Sequence, residues 1–344
     1  MISPISGPLP ARRRFLGLFS SALALACLAA PLCAQQPATP PANPPAQPAP
    51  GAQSQQPAPP SADQEEKPTI SIIANEVNLI FTVTDRHGHY IPDLKQNDFA
   101  LLDDGKAPSR VTSFRQQINL PLRVGLVIDA STSIRSRFEF EQQSAIEFLL
   151  DILKARSDRA FVMGFDVTPN VTQDWTNDID KLQTGVNRLR PGGGTALFDA
   201  VYSACRLKLL SERGQEPVRK AMILISDGDD NQSRVRPDEA IKECQRAETI
   251  IYSISTNWTP SRGKGDKVLT DMAEATGGQV FFPPSVEEMS SSFKDIEQEL
   301  RSQYALTYVP ADFKADGAFR PIYLYSNDRR YQVRARKGYF APKQ

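Results

Sequence analysis

Four largely apolar runs mark the middle of the chain: Val124-Gly125-Leu126-Val127-Ile128, Ala160–Phe165, Ala221–Ile225 and Thr249–Ile254. Runs that stay apolar instead of alternating predict strands covered on both faces. Between the first two, Ile146, Leu149, Leu150 and Leu153 fall at i, i+3, i+4 and i+7, the single buried stripe of a helix. Helical patterns recur over Phe198–Leu210, Pro237–Ala247, Lys267–Ala275 and Val286–Leu300. Strand–helix alternation of this kind predicts an α/β fold with a doubly wound, mostly parallel sheet, whose ligands bind beyond the carboxyl ends of the strands.

On either side the period shortens to two. Glu76–Thr84 alternates like a strand and runs into the turn Asp85-Arg86-His87-Gly88-His89; Asp98–Leu102, the turn Asp103-Asp104-Gly105 and Arg110–Phe114 follow. After Arg301, strand patterns return at Tyr304–Val309, Ile322–Tyr325 and Tyr331–Arg336. Neither segment is large enough for a core of its own. The two are therefore expected to pack together as a small β-sandwich, with segments 69–118 and 303–344 flanking an inserted α/β domain at 119–302. His87 and His89 share one turn tip, where a solvated loop is favoured over a metal site that would need further ligands.

The start of the chain reads differently. Arg12, Arg13 and Arg14 precede an uncharged, Ala-rich run from Phe15 to Ala30, and Pro31 and Ala34 supply a helix stop and a small residue for cleavage. Residues 1–34 are thus expected to be an export signal. The Arg pair before Phe15-Leu16 resembles the twin-arginine export pattern. An uncleaved signal anchor is the only membrane attachment in view. From 35 to 68 the chain is Pro, Ala, Gln and Ser, with ten of its 28 prolines between Pro37 and Pro60. That composition predicts a disordered, extended spacer.

Composition matters here mainly for what it excludes. Forty Lys and Arg balance forty Asp and Glu, which argues against nucleic-acid binding through bulk basicity. Loss of the signal would remove three Arg and leave 37 against 40, a mature charge of −3. Two histidines in one turn and no Gly-x-Ser-x-Gly elbow leave no support for serine catalysis. Cys205 and Cys244 remain after the signal, on two helical patterns, equally compatible with a disulfide and with free buried thiols. Trp175 and Trp258 are expected to pack or to lie in loops, Trp258 at the rim of the strand ends.

Chemistry concentrates at those ends. The first apolar run closes in Asp129-Ala130-Ser131-Thr132-Ser133, and Gly192-Gly193-Gly194-Thr195 precedes a helix near Ala196. Ala221–Ile225 leads to Ser226-Asp227-Gly228. Two carboxylates and three hydroxyls are hard oxygen donors, suited to Mg²⁺ first, with Mn²⁺ or Ca²⁺ as alternatives, and not to Zn²⁺. Such a set under-satisfies a divalent ion and leaves a position for a partner's acidic group. Asp229 and Asp230 are read either as acids that support the ligands from behind or as solvated loop acids, with the solvated loop favoured, and the calcium-loop likeness of Asp227-x-Asp229-x-Asn231 fails because Gln232 stands where Gly is required.

Asp129-x-Ser131-x-Ser133 with Thr195 and Asp227 resembles the metal-ion-dependent adhesion site of von Willebrand factor A domains, over about residues 121–302. The flanking Asp98-Phe99, Asp104-Gly105 and Arg336-Lys337-Gly338-Tyr339 resemble a family of exported bacterial proteins with a related domain. The resemblance implies that Ser131, Ser133 and Thr195 are metal ligands, that Asp129 and Asp227 act directly or through water, and that a partner's carboxylate completes the shell. It implies a non-enzymatic, exported adhesion module, periplasmic, in the envelope or extracellular, with a protein partner and no nucleic acid. Two alternatives remain at this level. One is a Mg²⁺-dependent phosphohydrolase of the haloacid dehalogenase type, although Ser131 stands where that chemistry wants a second Asp; the other is a structural unit of an envelope assembly with a vestigial site.

Overall fold

A computed structural model describes residues 76–343 apart from 117–119, 136–137, 155, 213–217, 258–260 and 286–287; the expected signal, the spacer and Trp258 lie outside the described residues. The leading segment forms β1 (Val77–Thr84), β2 (Phe99–Asp103) and β3 (Arg110–Gln116). The α/β part follows as β4 (Leu122–Asp129), α1 (Phe138–Ile152), β5 (Arg159–Phe165), β6 (Pro169–Thr176), α2 (Ile179–Arg188), α3 (Leu197–Ser203), β7 (Arg219–Ser226), α4 (Pro237–Arg246), β8 (Thr249–Ser255), α5 (Lys264–Thr276), β9 (Val280–Phe281) and α6 (Met289–Arg301). The chain closes with β10 (Tyr304–Val309), β11 (Phe319–Ser326), β12 (Gln332–Ala335) and β13 (Gly338–Phe340).

The central sheet runs β6-β5-β4-β7-β8-β9, parallel except for β6 against β5. β4, β7 and β8 are buried almost throughout, as their unbroken apolar runs predict. One face packs Phe148, Leu149, Leu182, Phe293 and Ile296 of α1, α2 and α6; the other packs Leu197, Val201, Cys244, Leu269 and Met272 of α3, α4 and α5. From β4 the chain winds first toward β5 and then back across to β7 on the opposite side. The winding direction reverses at the carboxyl ends of β4 and β7, the place where sheets of this kind bind their ligands.

The flanking strands form two antiparallel sheets, β12-β1-β10-β3 and β13-β11-β2. Leading and trailing segments interleave: β1 pairs with β10 and β12, and β2 with β11. Their shared core contains Leu79, Phe81, Tyr304, Tyr308 and Leu324. The sandwich is joined to the α/β layers around Glu299 of α6, whose fully buried carboxylate accepts hydrogen bonds from Thr82 (3.1 Å), Tyr252 (3.2 Å) and Arg334 (2.8 Å).

Four elements, β6, α2, β9 and β13, escaped the sequence patterns. β6 is an edge strand whose residues are all half-buried or exposed, so no apolar run marks it. α2 carries a legible signal: Asp178 accepts from Asp180 N and Lys181 N as N-cap, and Leu182 and Val186 are buried. The cysteine ambiguity is resolved by a buried Cys205–Cys244 disulfide joining α4 to the π-helical continuation of α3 at Ala204–Leu209, with Cα atoms 4.9 Å apart. No helix among the described residues is long and apolar enough to cross a membrane.

Candidate metal centre

Asp129 ends β4 with its side chain fully buried. Its Oδ1 accepts the Ser131 backbone N–H at 2.8 Å and its Oδ2 accepts the Ser226 hydroxyl at 2.8 Å. Burial pushes the carboxyl up to about 6, against the opposing pull of the bonds from Ser131 and Ser226 and with some help from the nearby Asp227 charge. Ser133 donates to Asp227 Oδ2 at 3.2 Å, and the Ser131 and Ser133 hydroxyls lie within hydrogen-bonding distance at 2.9 Å. Four of the five expected residues are thus linked in one hydrogen-bonded cluster. Apart from the Ser131 backbone N–H, the atoms that link them are hydroxyl and carboxylate oxygens.

Thr195 reaches the same edge through its backbone. Its N–H donates to Asn231 Oδ1 at 2.9 Å, and its carbonyl accepts from the N–H groups of Asn231 and Gln232, each at 3.0 Å. From the other side, the Thr132 hydroxyl donates to the Gly193 carbonyl at 2.5 Å. Gly193 adopts φ +64°, which L side chains rarely take.

Asp230 corrects one expectation. It accepts from Leu197 N at 2.9 Å and from the Ser233 hydroxyl, while Ser233 Oγ accepts from Phe198 N and Asp199 N. The α3 terminus begins after Ala196, which has no side chain to cap it, so the β7–α4 loop supplies the cap. A carboxylate spent on a helix N-terminus is not a free loop acid. Asp229 is exposed, as expected. Trp175 packs edge-on against Phe161 at 4.8 Å between centroids, a packing residue. Asp85 accepts from the backbone N–H groups of His87 and His89 and meets His89 Nδ1 at 3.0 Å, which organises the turn.

The residues missed at the sequence level are Ser226, Asn231 and Ser233. Only Ser226 carried a signal, its place between the β7 run and Asp227. Gly228 was named without its reason: it has φ +81°, and a Cβ there would sit 2.2 Å from the Gly265 carbonyl oxygen.

The donor set fits a hard divalent cation. Hydroxyl and carboxylate oxygens of Ser131, Ser133 and Asp227 lie within hydrogen-bonding distance of one another; among the described residues no group of three or more His, Cys, Asp or Glu is arranged to hold a metal ion. The profile of the von Willebrand factor type A domain matches residues 124–298, just over half of the 344 residues. The chain belongs to the von Willebrand factor type A domain family. No curated protein matches the chain. Among solved structures, the PilB minor pilin from Streptococcus sanguinis is similar at 14% identity and TM-score 0.42, covering 54% of this chain and 62% of the pilin. The chain therefore spans less than two thirds of that pilin. The von Willebrand factor domain of the type V pili tip protein Mfa5 from Porphyromonas gingivalis is similar at 15% identity and TM-score 0.43, covering 54% of this chain and 96% of that domain. A von Willebrand factor type A protein from Catenulispora acidiphila gives 15% identity and TM-score 0.44, covering 72% and 74%.

Proposed function

We propose that this chain is an exported, non-enzymatic binding module that engages a protein partner through a divalent cation, Mg²⁺ first, at the carboxyl edge of its type A domain. The observation that carries the reading is the oxygen cluster Ser131–Ser133–Asp227 lying over the buried Asp129 at the point where the sheet reverses its winding. Ser131, Ser133 and Thr195 would hold the ion, with Asp129 and Asp227 acting directly or through water. When bound, the ion supplies an electrophilic position that a partner's carboxylate fills.

Asp129 is poorly placed as a nucleophile, because both its oxygens are buried and already accept hydrogen bonds. A haloacid-dehalogenase role has no further observation in its favour. Export is supported by the buried disulfide, since such bonds form and persist in oxidising compartments. The test is association with envelope proteins in Mg²⁺, in chelator, and with Asp129→Ala. Loss in both of the latter is expected; association unchanged in both would overturn the reading.

A further inference from the structure

Thr195 is the proposed ligand farthest in sequence from the Asp129 and Asp227 strands, and it sits after three consecutive glycines. Such a segment has little conformational preference of its own. Its backbone is nevertheless fixed at both polar groups by two adjacent residues: Asn231 Oδ1 accepts the Thr195 N–H, and the Asn231 and Gln232 N–H groups donate to the Thr195 carbonyl. The approach is close enough to dictate the preceding residue. A Cβ on Gly194 would lie 2.6 Å from Asn231 Oδ1 and 2.7 Å from Gln232 Cγ. Asn231 lies four residues beyond Asp227, in the loop whose Asp230 and Ser233 also cap α3.

Resting on the metal reading above, we infer that Asn231 is the positioning residue that makes Thr195 a ligand, coupling it to the Asp227 loop so that the two move as one body. Asn231 directs its bonds to the Thr195 backbone. It works by holding the Thr195 amide, and a side-chain acceptor at that place is what the geometry requires. Neighbours that orient ligands in this way commonly change metal affinity by about 10- to 100-fold when removed.

The experiment titrates the full chain with Mn²⁺ alone, for the unsubstituted protein, Asn231→Ala and Asn231→Asp, and follows amide hydrogen exchange of residues 193–197 without metal. Asn231→Ala is expected to weaken Mn²⁺ binding about tenfold or more and to speed exchange at Thr195, with melting temperature within a few degrees of the parent. Asn231→Asp, which keeps the acceptor, is expected to restore both. Equal Mn²⁺ affinity and unchanged exchange in Asn231→Ala would overturn the inference, as would failure of Asn231→Asp to restore either. An unsubstituted chain that binds no Mn²⁺ would instead sink the metal reading, and the positioning role with it.

Discussion

Replacing Arg334 by Ala should destabilise the chain in a pH-dependent way. Glu299 is fully buried where α6 meets the sandwich, and its oxygens accept from Thr82, Tyr252, Arg334 and, at 3.4 Å, the Tyr90 hydroxyl. The cation among these partners is Arg334. Removing one member of a buried ion pair leaves an uncompensated charge and costs about 3–5 kcal/mol. Because Arg334 keeps 26% of its side-chain surface exposed, water screens part of the attraction, and about 3 kcal/mol is the better figure. Burial already holds Glu299 above the ordinary glutamate range, with Arg334 opposing that shift. Loss of Arg334 therefore raises it further. A carboxyl raised in the folded state contributes stability that is present at low pH and is lost as pH rises through its folded value. The cost of Arg334→Ala relative to the parent should accordingly be largest near pH 8 and shrink toward pH 5, as Glu299 takes up a proton. Guanidinium denaturation at both pH values measures it. Adding Glu299→Gln to Arg334→Ala should recover much of the loss at pH 8. A cost under about 1 kcal/mol at pH 8, or an equal cost at both pH values, would refute the view that a buried carboxylate anion joins the sandwich to α6.

Three other variants probe the scaffold. Ser226→Ala removes a buried donor to the Asp129 carboxylate and should cost about 1.5–3 kcal/mol by denaturation; a neutral result would mean that the bond adds nothing. Gly228→Ala drives a Cβ to 2.2 Å from a backbone oxygen, so it should yield less folded protein in a solubility and circular-dichroism comparison than Gly88→Ala, which shares the strain of a positive φ (+87°) but whose Cβ meets nothing within 4 Å. Cys205→Ala with Cys244→Ala opens a loop with a sequence separation of 39 residues, and the chain-entropy relation gives about 4 kcal/mol as its cost; a thermal midpoint unchanged from the parent would contradict a bridge formed in the folded chain.

The fold was legible wherever burial was two-sided. β4, β7 and β8 showed themselves because both faces of each strand must be apolar, and α1 because one stripe must be. The same reasoning explains β6: an edge strand with no fully buried residue has a sequence that differs little from a loop. β9, two residues long, offers too few positions for any periodicity. For the candidate centre, the residues at the strand ends could be read directly, because Asp129, Ser131, Ser133 and Asp227 lie on or next to strands the pattern located. What holds them could not. Ser226 reads as one more strand residue until its hydroxyl is seen between Asp129 and the Gly228 N–H. Asp230 reads as a loop acid until α3, started by Ala196 without a cap of its own, is seen to borrow it. The disulfide stayed open for a related reason: helical periodicity places Cys205 and Cys244 on helices but does not say which helices cross.

The central claim, that the oxygen cluster over Asp129 holds a divalent cation, is tested most directly by calorimetric titration of the folded chain with Mg²⁺ and Mn²⁺ beside Asp129→Ala and Ser133→Ala. Saturable binding of one ion per chain, lost in both variants while their unfolding transitions persist, is the predicted result. Absence of binding in the parent chain, or equal binding in the parent and Asp129→Ala, would contradict it.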